Sequence, residues 1–83
     1  MYQVKIEKAA VKALEKIDDP HYSKLKKSIL GLSKNPRPLG YKKLKGREGY
    51  RIRAGDYRIL YDIIDEVLIV LVLELGHRKD IYK

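Results

Sequence analysis

The sequence predicts an α+β fold: two N-terminal helices packed on a twisted, mostly antiparallel sheet of about four to five strands. Two observations lead to this prediction. The first half of the chain holds two segments with helical periodicity, and the second half holds short segments that alternate or are apolar throughout. Helices followed by a run of strands are typical of α+β proteins. With 83 residues, the chain is expected to form a single domain spanning residues 1–83.

The N-terminal half begins with a short predicted strand, Tyr2 to Ile6, and continues into two amphipathic helices. Apolar residues of the first helix recur at helical spacing: Ala10, Ala13, Leu14 and Ile17. Asp19 is expected to cap the second helix, with Pro20 at its first position. The apolar stripe of that helix consists of Tyr22, Leu25, Ile29 and Leu32. The two helices therefore form a hairpin that must bury this stripe.

The C-terminal half is predicted to form the sheet. Residues 35–40 contain two prolines and a glycine, which break helices and central strands, so this segment should cross from helices to sheet. A short lysine-rich strand is expected at 41–44, followed by hairpin strands at 49–54 and 57–64. The apolar run from Val67 to Leu73 predicts a strand near the sheet centre, covered on both sides. Gly76 is then expected to turn the chain sharply.

The hairpin has a predicted register, because Gly55 and Asp56 form a typical two-residue loop. The expected pairs are Ala54 with Tyr57, Arg53 with Arg58, Ile52 with Ile59, and Arg51 with Leu60. This register places three arginines on one face, although like charges opposite each other destabilise a sheet. One interpretation is a receptor for a polyanion. The alternative is an ordinary solvated face.

The charge distribution favours an acidic partner. The net charge is +8, and residues 41–61 alone carry seven basic and two acidic side chains. A concentrated basic patch indicates nucleic acid or an acidic protein segment, without distinguishing between them. There is no cysteine, no signal peptide is apparent, and the longest apolar run is too short to span a bilayer. The expectation is a soluble cytoplasmic protein with no membrane partner.

Candidate chemistry rests on basic and phenolic groups. The sequence has no glycine-rich phosphate loop, no metal-ligand spacing and no serine nucleophile motif, so no metal or cofactor is expected. The candidate residues are Arg51, Arg53 and Arg58 on the hairpin and His77, Arg78 and Tyr82 at the C-terminus. If the last strand pairs back on the hairpin, His77 and Arg78 should approach the arginine face. The alternative is a frayed, charged terminus that binds nothing.

Three segments, NPRPLGYKKLKG, YRIRAGDYRILYDI and ELGHRKDIY, together resemble the RelE/ParE superfamily of bacterial and archaeal toxins over essentially the whole chain. The similarity is greatest to the RelE branch, whose members are ribosome-dependent mRNA interferases. The resemblance implies mRNA cleavage in the ribosomal A site without a metal. It also implies a cognate antitoxin, whose acidic segment should fold over the basic face, and contact with promoter DNA only through the antitoxin complex.

The resemblance also implies roles for individual residues. Arg53 and Arg58 would stabilise the phosphate and transition state, with Arg51 beside them. Arg78 would assist the leaving oxygen, and Tyr82 would orient or deprotonate the ribose 2′-OH. Contacts with the RNA backbone are expected from Lys42, Lys43, Lys45 and Arg47. For these four residues the alternative is a solvated, basic edge strand.

The chain departs from the RelE pattern at Arg51 and Arg53, where well-studied members have lysines. Arginine is a poor proton acceptor, so these positions fit electrostatic roles better than that of a base. His77 is the expected substitute for acid–base work. Two other functions stay open: a ParE-like toxin that inhibits DNA gyrase, and a non-catalytic module that binds the antitoxin or nucleic acid.

Overall fold

The computed structural model describes residues 1–77 and confirms the predicted α+β fold. Its elements are β1 (Gln3–Ile6), α1 (Lys8–Glu15), α2 (His21–Gly31), β2 (Lys42–Lys43), β3 (Tyr50–Ala54), β4 (Tyr57–Ile64) and β5 (Ile69–His77), with a 3-10 turn at Asp65–Val67 between the last two strands. The five strands form one sheet in the order β1-β5-β4-β3-β2. The first strand is parallel to β5, and the other neighbours are antiparallel.

The helices form where their apolar spacing predicts, but the start of α2 differs in part from the prediction: Pro20 lies at the N-cap position rather than at the first helical position, and Asp19 bonds to the first turn from one residue further out. The Asp19 Oδ1 atom accepts hydrogen bonds from the Ser23 backbone N–H at 2.9 Å and from the Ser23 hydroxyl at 2.6 Å. These bonds lower the pKa of Asp19. Such a cap satisfies a donor of the first helical turn, which has no partner inside the helix.

The core lies between the helices and one face of the sheet, called here the inner face. The fully buried residues of α1, α2 and the segment just after α2 are Ala10, Leu25, Ile29 and Leu32. The sheet contributes Ile52, Ile59, Tyr61, Val70, Val72 and Leu75. Among residues 1–77, no helix covers the opposite, outer face. The prediction that the last strand is covered on both sides is therefore wrong: Leu71 and Leu73 of β5, on the outer face, are only partly buried.

The hairpin register is confirmed at each of the four predicted pairs. The last strand differs from the prediction at both ends. Val67 belongs to the 3-10 turn, and Leu68 takes a left-handed conformation with φ 54° before β5 begins. Gly76 does not turn the chain, as predicted, but lies inside β5 opposite Arg58. The strand continues because β4 extends to Tyr57 and offers a partner for each residue up to His77.

The 35–40 segment is fixed to the sheet by polar contacts. Arg37 forms an ion pair with Asp65 at 2.9 Å, and the Tyr2 hydroxyl donates to the same carboxylate. The buried Tyr61 hydroxyl donates to the Pro36 carbonyl at 2.7 Å. These contacts set the path of the chain into β2 and so position the lysines of that strand. Within residues 1–77, no helix is long and apolar enough to cross a membrane.

Candidate functional site

Two adjacent strands, β3 and β4, place the arginines on the outer face. Cross-strand partners share a face of a sheet, so the pair Arg53 and Arg58 lies on the same side as Arg51, two residues along β3. The Cβ atoms of directly opposed residues are about 4.5–5.5 Å apart. Arg53 is exposed, whereas Arg51 and Arg58 are half-buried and the Nε atom of Arg58 is fully buried. Arg51 and Arg58 are thus packed partly against the sheet, whereas Arg53 is exposed to solvent.

Leu60 forms an apolar floor between the charged residues of the outer face. It pairs with Arg51 on one side and with Glu74 on the other, yet it is only 4% exposed. Leu60 is thus covered although no helix of residues 1–77 packs on this face. The long stems of arginine can bury apolar surface while their charged ends stay in water. The stems of Arg51 and Arg58, which are half-buried, can help to cover Leu60 in this way.

The four basic residues predicted to contact RNA divide between the two faces. Lys42 pairs with Arg51 and therefore extends the arginine row on the outer face. Lys43 pairs with Tyr50, whose ring contacts Tyr61 of the core, and so lies on the inner side. Lys45 and Arg47 are exposed in the turn between β2 and β3. Of these residues, Lys42 is the one that the sheet aligns with the arginines.

His77 does not join the arginine face, and this part of the sequence prediction is wrong. It pairs with Tyr57, and its ring meets the Tyr57 ring edge-on at a centroid distance of 5.7 Å. Tyr57 also contacts His21 at 5.2 Å. Both His77 and Tyr57 line a groove of about 490 Å³ beside α1, on the inner side of the sheet. The reason is the two-residue period of a strand: His77 lies two residues after the buried Leu75 and therefore points to the same side, toward the helices.

Two further predicted residues, Arg78 and Tyr82, lie outside the described residues. Glu74, by contrast, is an outer-face residue that the sequence prediction missed. Its position follows from the register of β5 on β4, which contains a bulge opposite Leu60 and Tyr61. A bulge changes which residues of a strand share a face. The sequence analysis paired the last strand back on the hairpin but had no signal for the bulge, so it could not assign Glu74 to a face.

The outer face can bind and polarise a phosphate group. Guanidinium groups offer paired N–H donors that match phosphate oxygens, and two opposed arginines can hold one phosphate from both sides. No group of three or more histidine, cysteine or acidic residues that could hold a metal occurs within residues 1–77. The fold and the site together define a class: a small α+β protein whose sheet carries arginines on a face that no helix of residues 1–77 covers.

Comparison with known proteins identifies the family within this class. Residues 4–82 match the family described as the ParE toxin of type II toxin–antitoxin systems, parDE. The chain is 35% identical to a RelE-like toxin protein of Escherichia coli, covering 98% of this chain and 90% of that protein. It is 31% identical to the mRNA interferase toxin RelE of Escherichia coli K12, covering 94% and 84% of the two chains.

A solved structure agrees with these sequence matches. The archaeal RelE–RelB complex from Pyrococcus horikoshii OT3 contains a chain that is 34% identical to this one. The two superpose with a TM-score of 0.82, covering 93% of this chain and 94% of the other. The chain therefore belongs to the ParE toxin family of the RelE/ParE superfamily.

Proposed function

We propose that this protein is the toxin of a type II toxin–antitoxin system and a ribosome-dependent endoribonuclease that cleaves mRNA in the A site. The observation that carries the proposal is the convergence of Arg51, Arg53 and Arg58 on one open face, around the buried Leu60. Opposed arginines cost stability unless an anion separates them. The relatedness to an mRNA interferase of Escherichia coli supports RNA as that anion.

The proposed reaction is attack of a ribose 2′-oxygen on the adjacent phosphorus. It produces a 2′,3′-cyclic phosphate and a 5′-hydroxyl end. Negative charge builds up on the phosphate oxygens in the transition state. Fixed cations therefore stabilise the transition state more strongly than they stabilise the phosphate of the bound substrate. Arg53 and Arg58 would bind these oxygens, and Arg51 would hold the neighbouring phosphate. The reaction requires no metal, because guanidinium groups supply the positive charge.

Two residues beyond the described part of the chain complete the proposal. Arg78 and Tyr82 occupy the matching positions of the C-terminal family motif, GHR and DIY. Arg78 would stabilise charge on the leaving 5′-oxygen, and Tyr82 would orient the 2′-OH or stack on a base. Lys42 and the turn residues Lys45 and Arg47 would contact the RNA backbone, which makes binding weaker as salt rises.

A cognate antitoxin is the proposed protein partner, and the cytoplasm the proposed location. The structural relative from Pyrococcus horikoshii is a complex of RelE with RelB, which supports such a partner here. An acidic antitoxin segment that folds over the outer face would neutralise the arginines and block RNA. Contact with promoter DNA would come only through that complex. The whole chain, residues 1–83, would act as one toxin domain.

Toeprinting of a message on programmed ribosomes tests the proposal. The wild-type protein should produce new cuts in the A-site codon, and Arg58→Gln should reduce their rate at least 100-fold, since one lost transition-state contact costs about 10²–10³. Folding of the variant is checked by circular dichroism. A folded wild-type protein that makes no cuts at saturating concentration would contradict the proposal.

A second candidate function is inhibition of DNA gyrase. It is tested because the family that the chain matches carries the ParE name. The same wild-type preparation is therefore assayed for loss of gyrase supercoiling. Loss of supercoiling without mRNA cuts would replace the ribonuclease with the gyrase inhibitor. If neither activity is found, the outer face would serve only as a binding surface.

A further inference from the structure

Three tyrosines form a row on the inner side of the sheet, at the edge where β2 lies. Tyr61 of β4 is fully buried, and its ring contacts that of Tyr50 on β3 at a centroid distance of 6.0 Å. The Tyr50 ring in turn contacts Tyr41, the residue just before β2, at 5.8 Å. Tyr41 ends the row and is 37% exposed. The row therefore leads from the core to an aromatic ring at the surface.

Contacts on the backbone and on the ring hold Tyr41 in place. Its backbone N–H donates to the Pro38 carbonyl at 3.0 Å, and the buried Tyr61 hydroxyl holds the carbonyl of Pro36, two residues earlier. The next residue, Lys42, begins β2 and pairs with β3. A ring that is already fixed in this way loses little conformational entropy when a ligand binds to it. Tyr41 is thus a preorganised aromatic surface.

The segment around Tyr41 is strongly basic. Residues 38–47 carry four basic side chains, all of them exposed, and no acidic one. One of the four, Lys43, pairs with Tyr50 and so lies on the same side of the sheet as the tyrosine row. The arginines of the outer face lie on the opposite side and leave Lys43 without a role. Tyr41 and Lys43 therefore combine an exposed ring and a cation on the inner side.

An exposed tyrosine beside a lysine suits an unpaired base of RNA. The bases of single-stranded nucleic acids stack on aromatic side chains, and nearby lysines bind the phosphates. In a double helix the bases already stack on one another, so a duplex would contact only the lysines. An acidic protein segment would also pair with the lysines, but it offers carboxylates in place of bases. The tyrosine ring therefore favours single-stranded RNA over both.

We propose that Tyr41 and Lys43 form a stacking site for an unpaired RNA base, on the side of β2 away from the arginines. The inference rests on the proposed binding of RNA and not on its cleavage. β2 is an edge strand, with Lys42 on the outer face and Lys43 on the inner side. It lies about 10 Å from β4 across β3, so an RNA chain that passes around this edge can contact Tyr41 and the arginines together.

The test measures the binding of a fluorescent single-stranded RNA by anisotropy. Tyr41→Leu keeps an apolar side chain but removes the flat ring, and it should raise Kd at least about fivefold, because one stacked base is worth that much or more. Tyr41→Phe keeps the ring and should bind within about twofold of wild type.

Tyr22→Leu is the matched control for this measurement. Tyr22 is also 37% exposed, and lysines follow it on α2 at Lys24, Lys26 and Lys27. It is not part of the tyrosine row that ends at Tyr41. Tyr22→Leu should therefore bind the RNA within about twofold of wild type, because no stacking contact is lost.

A second polyanion separates stacking from charge. Poly-glutamate carries negative charge but no bases, so Tyr41→Leu should bind it within about twofold of wild type. Lys43→Gln should weaken the binding of both polyanions. It should also reduce the slope of log Kd against log salt concentration by about 0.7 for the RNA, whereas Tyr41→Leu should leave that slope unchanged.

A fluorescent variant tests the contact without removing it. The chain has no tryptophan, so Tyr41→Trp introduces a single indole that can also stack on a base. Single-stranded RNA should quench its fluorescence, and poly-glutamate should not. The indole of Tyr22→Trp should be quenched by neither. This measurement holds even if Tyr41→Leu lowers the melting temperature, and an unquenched Tyr41→Trp indole in an RNA-bound protein would overturn the proposal.

Sedimentation with ribosomes that carry no message identifies the source of the base. A loss of binding by Tyr41→Leu on free RNA alone assigns the base to the message, and a loss on these ribosomes assigns it to ribosomal RNA. Binding of Tyr41→Leu equal to wild type in both assays would overturn the stacking site. Equal losses for RNA and poly-glutamate, or for Tyr41→Leu and Tyr22→Leu, would overturn it as well.

The stacking site and the ribonuclease can fail separately. If wild type binds RNA through Tyr41 but cuts no message, the proposed ribonuclease fails and the stacking site stands. If wild type cuts the message and Tyr41→Leu binds and cuts like wild type, the stacking site fails and the ribonuclease stands. A wild-type protein that binds neither free RNA nor ribosomes would contradict both.

Discussion

Tyr61 shows how one residue joins the core to the segment that leads into the site. Its ring is fully buried on the inner face, and its hydroxyl donates to the carbonyl of the buried Pro36. Burial raises the pKa of Tyr61 to about 12, from an ordinary value of 10.0. The hydroxyl is therefore held protonated as a donor, and the Pro36 carbonyl depends on it.

Replacing Tyr61 with phenylalanine should lower the free energy of unfolding by about 1–2 kcal/mol, because the Pro36 carbonyl would stay buried without a donor. Urea denaturation measures the change. The control is Tyr41→Phe, at a ring that is 37% exposed, with an expected change below about 0.5 kcal/mol. Equal stability of wild type and Tyr61→Phe would show that the hydrogen bond contributes nothing.

The raised pKa of Tyr61 adds a pH dependence with a definite sign. The folded state keeps this proton to a higher pH than the unfolded chain, so its contribution is complete below pH 10 and is lost as pH rises toward 12. Wild-type stability should therefore fall more steeply than that of Tyr61→Phe between these values. Parallel curves would contradict the assignment.

The turn between β2 and β3 is the element that aligns Lys42 with the arginines. It closes through a hydrogen bond from the Leu44 N–H to the Gly49 carbonyl at 3.0 Å. Gly49 has φ 120°, and a Cβ atom there would lie 3.1 Å from the Tyr61 carbonyl oxygen and 3.2 Å from Leu44 Cδ1. Both the backbone conformation and the space around it thus require glycine.

Gly49→Ala should destabilise the protein by about 2–3 kcal/mol, the sum of backbone strain and crowding against β4. Gly46→Ala is the matched control in the same turn. Gly46 has φ 74°, but a Cβ atom added there would meet nothing within 4 Å, so this variant carries strain without crowding, at about 1 kcal/mol. Thermal unfolding compares the two. If Gly49→Ala were no less stable than Gly46→Ala, crowding against Tyr61 and Leu44 would not contribute to the destabilisation.

The elements differ in how far the sequence could predict them. The hairpin register followed from Gly55-Asp56 and the alternation on either side, because a two-residue loop fixes each pair. The register of the last strand was harder to predict, because its apolar run shows no alternation that would distinguish its two faces. The bulge opposite Leu60 and Tyr61 shifts by one residue which side chains of β5 lie on the outer face. The sequence prediction therefore missed that Glu74 lies on the outer face and His77 on the inner face.

Contacts between segments distant along the chain could not be predicted from the sequence either. The ion pair between Arg37 and Asp65 joins residues that are separated along the chain by β2, β3 and β4, and no local pattern indicates it. The burial of Leu60 on the outer face likewise has no signal in the alternation of its own strand. Local periodicity predicts faces and turns, whereas such contacts depend on how the assembled elements meet.

At the scale of the whole molecule, we propose that activity belongs to the outer face and not to positive charge in general. The chain carries 19 lysines and arginines, and many lie on the helices away from the arginines of β3 and β4. General basicity would strengthen binding to any polyanion. Cleavage at a defined site, by contrast, depends on the positions at which the protein holds its charged groups.

The most direct measurement compares two double variants that remove the same charge, in single-turnover cleavage of ribosome-bound mRNA. Arg53→Gln with Arg58→Gln neutralises the outer face, and Lys24→Gln with Lys27→Gln neutralises two exposed residues of α2. The arginine variant should lose at least 100-fold in cleavage rate, and the lysine variant should stay within about threefold of wild type. Equal losses in the two variants would contradict the assignment of the site to the outer face.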